Sequence, residues 1–490
     1  MFMFSLKDLK NRYKSLPDQV KAALWFTVSN FIQSGISYLS TPVFTRIMST
    51  GDYGIFSVYM TWQNIVSIFV TLNLASGVYM RGLIKYDDDR KKFTASVQGL
   101  FVLLFLIYLI PAVFFLDGLS DILAMPRGYI LGMMTDLFFV MSFRFWSVRK
   151  RVDYEYKRMV FLTLFNALLK TGLELFAVIK FKNGAAGRIY ALVIADVISF
   201  GWLWVKMFID TIKDFSPKYW KYSLGYNIPL VPHYLSQVIM NQSDRIMIKD
   251  MCGEDEAGKY SLAYNLATAV QILSQAILNA YNPWMYQQIK KKNYKEVNAF
   301  SMLLLYLIAA LCLMLMLLAP EVMWIFAPQD YYEAVKIIPC VTISVYFVFL
   351  YSLYANFEFY FEKNSYMMVA SSVAACLNIW LNMIFIGSHG YMAAAYTTLF
   401  CYIAYTLFHY VVMRLIVYKE TGLKSIYDDG KIFLLSAGLV ALSILFFVLY
   451  DHIIIRYLCA FVLLAVLIWK REKILTELKK NKLSGGKHGK

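Results

Sequence analysis

The chain has 490 residues, 59% of them hydrophobic and 16% charged, with a mean hydropathy of +0.53. Ordinary soluble domains are about 45–50% apolar, so this composition excludes a water-soluble globular protein and assigns the chain to a bilayer. The formal net charge of +16 reads as membrane topology and contact with anionic lipid headgroups, and requires no nucleic acid.

In chain order, residues 1–21 mix Phe2, Phe4, Leu6, Leu9 and Tyr13 with Lys7, Lys10, Arg12, Lys14 and Lys21. This is the pattern of a cytoplasmic segment lying on the membrane surface. A crossing helix needs about 20 mainly apolar residues, and about fourteen such stretches follow. They begin near Ala22, Ile55, Phe93, Gly128, Met159, Ala186, Ser223, Tyr260, Asn298, Ala334, Asn364, Gly390, Lys431 and Ile453. The first lacks a small-residue cleavage site and reads as a span rather than a leader. The fold class expected is an all-α polytopic membrane protein with about 14 transmembrane helices, arranged as two pseudo-symmetric six-helix lobes plus two C-terminal helices. The lobes are residues 22–210 and 211–418, the final pair is 419–472, and a basic cytoplasmic tail fills 473–490.

Basic residues beside spans are retained in the cytoplasm. The N-terminal cluster and the tail, with Lys473, Lys479, Lys480 and Lys482, predict that both termini lie inside. Alternate turns agree, among them Arg149, Lys150, Arg151, Lys157 and Arg158, and later Lys290, Lys291 and Lys292. Six cysteines form no CxxC pair and fall mostly in apolar stretches, so neither a disulfide, a metal nor any cofactor is read from them.

One pattern occurs twice. Arg46-Ile47-Met48 followed by Gly54-Ile55-Phe56-Ser57 returns as Arg245-Ile246-Met247 followed by Gly258-Lys259-Tyr260-Ser261. Repetition on a scale of roughly 200 residues in a polytopic chain is the mark of transporters, whose substrate sites lie where the repeats meet. Polar residues follow the same repeat: Asn30, Gln33, Ser34, Ser37 and Thr41 share one helical face of the first span, and His233, Ser236, Gln237, Asn241 and Asp244 one face of the seventh. Ser57, Thr61 and Asn64 in the second span match Ser261, Asn265 and Thr268 in the eighth, which continues through Gln271, Gln275 and Asn279. Interhelical hydrogen bonds, worth only about 0.6 kcal/mol each, would explain any single residue. Four stripes in matched positions favour a hydrated cavity.

Fixed charges inside spans are costly and point to function. Lys170 and Glu174 lie four residues apart with Asn166 one turn earlier; Asp136 and Arg144 share the fourth span, and Asp196 is in the middle of the sixth. Lys170 and Glu174 read either as a neutralising intrahelical pair or as separate groups. In the second case Lys170 and Arg144 hold an anionic headgroup, with Asp196 and Glu174 as counter-ions or proton sites. Arg46 and Arg245 end the first and seventh spans, where they either snorkel to the interface or contact phosphate, to which the guanidinium fork is suited. Pro42, Pro229, Pro232, Pro283, Pro320 and Pro339 are joints of a rocking motion or simple helix stops. Asp87-Asp88-Asp89, beside Arg90, reads as a solvated turn. His409 reads as packing or as lipid-interface decoration, whereas His233 belongs to a polar stripe.

The stretch Pro42, Arg46, Gly51, Tyr53, Gly54 and Phe56, then Asp244-Arg245 leading to Gly258 and Tyr260, then Asn282-Pro283, resembles the polysaccharide-repeat-unit flippases of the multidrug, oligosaccharidyl-lipid and polysaccharide exporter superfamily. The resemblance implies two six-helix lobes plus two helices, working by alternating access in the bacterial plasma membrane. It implies that undecaprenyl-diphosphate-linked oligosaccharide passes from the inner to the outer leaflet for O-antigen, capsule or exopolysaccharide assembly, beside polysaccharide polymerase machinery. Cationic cavity residues are a family theme without a fixed motif, so the diphosphate site rests on Lys170, Arg144, Arg46 and Arg245. The related lipid II flippases carry several Arg in their first two helices; the core of the first helix here has none, which argues against a peptidoglycan precursor. A cation-coupled drug exporter on the same fold and a membrane polysaccharide polymerase are the rival readings. The basic residues oppose the first, and the lack of a long external loop opposes the second.

Overall fold

A computed structural model describes residues 18–75, 77–211, 216–363 and 365–484, with no strand among them. The expected interfacial segment lies largely outside the described residues, as does the end of the basic tail. Two compact units emerge, Met1–Leu235 and Ser236–Lys490.

In the first unit the helices are α1 (Asp18–Ile47), α2 (Thr50–Thr71), α3 (Val78–Lys85), α4 (Arg90–Phe114), α5 (Leu116–Leu123), α6 (Arg127–Val152), α7 (Tyr156–Phe181), α8 (Gly184–Thr211) and α9 (Pro217–Asn227). Helix α10 (Val231–Cys252) contains the division. The second unit continues with α11 (Glu254–Ala267), α12 (Ala269–Lys290), α13 (Tyr294–Leu317), α14 (Ala319–Phe326), α15 (Ile338–Tyr360), α16 (Ser365–His389), α17 (Ala393–Thr421), α18 (Asp429–Leu449) and α19 (Ile453–Ser484).

Ten helices among the described residues are long and apolar enough to cross a membrane: α4, α6, α7, α8, α13, α15 with the turn before it, α16, α17, α18 and α19. The other four expected spans, α1, α2, α10 and the α11–α12 pair, are helical but do not meet both conditions of length and apolarity, and they are the helices that carry the repeated stripes. Length and composition therefore do not reach the expected fourteen.

The core of the first unit is aromatic. Tyr59, Tyr79, Phe93, Phe101, Phe145 and Trp204 are buried together, and Phe101 stacks on Trp204 at 5.6 Å. Gly82 is required where α3 meets α4, because a Cβ there would lie 1.9 Å from Phe93 Cζ. Helix α9 belongs to this unit: Trp220 Nε1 donates to Ser96 O at 2.6 Å and Tyr219 donates to Asp89 Oδ2 at 2.6 Å. Asp89 therefore anchors α9 and is not merely solvated. In the second unit α15 is the most enclosed span and lies along α17, with Tyr346, Phe349 and Phe357 fully buried. Pro42 and Pro283 lie inside α1 and α12, whereas Pro320 and Pro339 occupy first-turn positions, where a missing donor costs nothing.

Candidate functional site

The charges of the first unit converge across four helices. Lys170 of α7 reaches Asp196 of α8, Nζ to Oδ2 at 2.8 Å, and the lysine is 29% exposed while the aspartate is 2% exposed. One turn before Lys170, Asn166 donates its amide to Asp196 Oδ1 at 2.7 Å. Both carboxylate oxygens of Asp196 are thereby matched, as a buried charge demands. Gln63 of α2 donates to Asp136 of α6, and Asp136 lies in the fields of Asp196, Lys170 and Arg144.

Glu174 pairs with Arg188 of α8, Oε2 to Nε at 3.1 Å. The guanidinium of Arg188 also lies 3.9 Å from the ring centroid of Phe44 and 3.8 Å from that of Phe56, a cation sandwiched between rings of α1 and α2. Lys170 and Glu174, adjacent on α7, thus each take their ion-pair partner from α8. Arg144 differs from both: it is half-buried, feels Asp136, and forms no ion pair among the described residues. The result is a row of acids and bases through the unit in which Arg144 has no ion-pair partner among the described residues.

The second unit answers with a neutral cage around one acid. Asp244 of α10, 1% exposed, accepts from Tyr260 at 2.6 Å, Asn382 at 2.6 Å and Thr398 at 2.9 Å. Asn378 donates to Thr398 Oγ1 at 3.3 Å and Thr397 donates to Asn382, so α16 and α17 present a continuous polar face to α10. Beside it, Arg245 donates to Asn265 Oδ1 at 3.2 Å and lies 4.8 Å from the Tyr264 ring centroid.

Arg46 and Arg245, matched in sequence, occupy different settings. Arg46 is exposed and donates to Pro42 O of its own helix at 2.8 Å, whereas Arg245 is 7% exposed. The cause is local: α11 supplies Tyr264 and Asn265 where α2 has Met60 and Thr61 at the corresponding positions. In the stripes, Asn30, Gln33, Ser37 and Gln275 are exposed, and Asn64, His233, Gln237, Asn241, Asn265 and Gln271 are half-buried. Asn241 accepts from Tyr402 at 2.9 Å.

Three features escaped the sequence reading. Arg188 follows a Gly-Ala-Ala-Gly start with no periodic relation to Glu174. Asn378 and Asn382 did leave a signal, two amides four residues apart in an apolar run. His409 is not simple packing: Nδ1 lies 2.5 Å from Glu358 Oε1, with both side chains 0% exposed.

The family model described as "Polysaccharide biosynthesis protein" matches residues 20–289. Among solved structures, the chain is similar to a lipid II flippase MurJ in an inward closed conformation, at 16% identity and TM-score 0.68, covering 92% of this chain and 100% of that one. An inward-facing multidrug resistance MATE family transporter of the MOP superfamily matches at 12% identity and TM-score 0.66, over 82% of this chain and 100% of that one. A MOP superfamily transporter from Pyrococcus furiosus, described as having a binding pocket of reverse polarity, matches at 13% identity and TM-score 0.57, over 83% and 98%. At these identities the likeness establishes the fold, that of the MOP transporters. No curated protein matches the chain.

Proposed function

Because the chain belongs to the polysaccharide biosynthesis protein family, we propose that it is a flippase carrying undecaprenyl-diphosphate-linked oligosaccharide repeat units from the inner to the outer leaflet of the bacterial plasma membrane by alternating access. The observation that carries this reading is Arg144, a half-buried guanidinium in the field of Asp136 that forms no ion pair among the described residues. A guanidinium can bond two phosphate oxygens at once. Lys170, already paired but 29% exposed, adds a second cation, and Asp196 with Asp136 beside it is where a proton or cation is taken up to drive the cycle. Arg46, exposed at the end of α1, serves as a peripheral phosphate contact, while Arg245 is engaged with Asn265 and Tyr264 and positions α11. The fold shared with a protein titled a lipid II flippase supports a lipid-linked cargo.

Arg144→Ala in the producing strain is expected to abolish surface polysaccharide while the protein stays at normal level in the membrane, read by glycan staining and immunoblot. Normal polymer from the Arg144→Ala, Lys170→Ala double variant would remove both cations from the mechanism. Cation-coupled drug export is the second reading, favoured by the MATE likeness and the buried Asp136, Asp196 and Asp244. Increased drug resistance in an overexpressing strain, with unaltered polysaccharide, would select it. A polymerase reading finds no support among these transporter relatives.

A further inference from the structure

Away from the buried charges, α6, α7 and α8 form a surface groove of about 590 Å³. Its walls are apolar and open: Phe161 is 69% exposed, Phe165 42% and Ile198 56%. Its rim is basic, with Lys157 and Arg158 from the first turn of α7 and Lys206 from the far part of α8. The carboxylates nearest to Lys157 and Arg158 in sequence are already engaged. Glu155 takes Lys150 at 2.7 Å, which holds its carboxyl below the ordinary value, and Asp153 takes Arg90 at 3.1 Å. Lys157 and Arg158 form no ion pair among the described side chains.

Two more observations mark the groove as built for an amphiphile. Trp146 and Trp202 line it, and tryptophan collects at the depth where headgroups meet hydrocarbon. The groove also reaches Ser199, whose buried hydroxyl has no hydrogen-bond partner among the described residues, although Trp202 Nε1 donates to the Ser199 carbonyl at 2.9 Å. A polar donor in an apolar floor under a cationic rim matches a molecule with an anionic head and a hydrocarbon tail.

We propose that this groove binds one anionic phospholipid of the surrounding bilayer, its phosphate held by Lys157, Arg158 and Lys206 and its acyl chain lying on Phe161, Phe165 and Ile198. The site stands apart from the transport reading: a bound phospholipid here anchors the α6–α7 turn to its leaflet whatever the cargo is.

The test uses the full chain in detergent, with phosphatidylglycerol and phosphatidylcholine of identical acyl chains as probes and native mass spectrometry as readout. Phosphatidylglycerol is expected to be retained over phosphatidylcholine. The variant K157A/R158A/K206A should weaken that retention by at least about tenfold, since each interfacial cation contributes on the order of 1 kcal/mol. Ile198→Trp, which fills the cleft and keeps every charge, should weaken it too, with both variants unfolding at the wild-type temperature. Equal retention of the two lipids, or undiminished phosphatidylglycerol in both variants, would overturn the proposal. Displacement of phosphatidylglycerol by an equimolar amount of undecaprenyl diphosphate would also overturn it, giving the groove to the transported lipid.

Discussion

Glu358 and His409 lie on α15 and α17, and neither reaches solvent. Their second polar atoms, Glu358 Oε2 and His409 Nε2, have no hydrogen-bond partner among the described residues, and Tyr405 and Tyr351 close over the imidazole at ring distances of 4.5 and 5.5 Å. Removing one member of such a pair strands the other in apolar surroundings, at a cost of about 3–5 kcal/mol. Replacing both by apolar groups of similar volume is often neutral. Glu358→Leu and His409→Phe are therefore each expected to lower the unfolding temperature of the detergent-solubilised protein, while the double variant recovers most of the loss. Additive losses in the double variant would show that packing, and not the pair, sets the stability. Lys170 and Asp196 obey the same rule, which is why Arg144, which forms no ion pair among the described residues, is the cleaner probe of transport.

At the scale of elements, one aspartate fixes how two helices start. Ser49 caps α2 by accepting from Asp52 N at 3.0 Å, and Asp52 Oδ1 in turn accepts from Ala185 N at 2.9 Å in the first turn of α8. A carboxylate at a helix N-terminus satisfies an orphan donor and complements the helix dipole. The contact is close enough to require glycine, because a Cβ on Gly184 would lie 2.1 Å from Asp52 Cγ. It sets the position of α8, and with it Arg188 and Asp196, against α2 and α7. Gly184→Ala is expected to cost about 1–3 kcal/mol through overpacking and to reduce transport as well. Combined with Asp52→Ala it should cost less than the sum of the singles, because the clash is gone. Full additivity in thermal unfolding would separate Gly184 from Asp52.

Across the whole molecule, two units with the same opening motif have diverged in their buried chemistry. The first balances Asp136 and Asp196 against Lys170 and Arg144; the second encloses Asp244 in neutral donors. On the flippase reading proposed above, the first unit grips the anionic headgroup and the second does not. Orientation is a property of the entire chain, set by where lysine and arginine collect. Reporter fusions at both ends should show both in the cytoplasm: fluorescence from a GFP fusion and no activity from an alkaline phosphatase fusion. An active phosphatase at either end would break the even-span topology.

Membrane class and helical architecture were legible in the sequence, because hydropathy and the 3.6-residue period are local properties that survive without neighbours. The repeated motif at Arg46 and Arg245 stands in plain order in the sequence. Which charge meets which was decided by the tertiary structure. Lys170 finds Asp196 at a separation of 26 residues, and Asp244 collects partners 138 and 154 residues away. Those pairings depend on the rotation and approach of packed helices. Fixing them takes the combined packing of many side chains, a quantity that no single stretch of the chain contains.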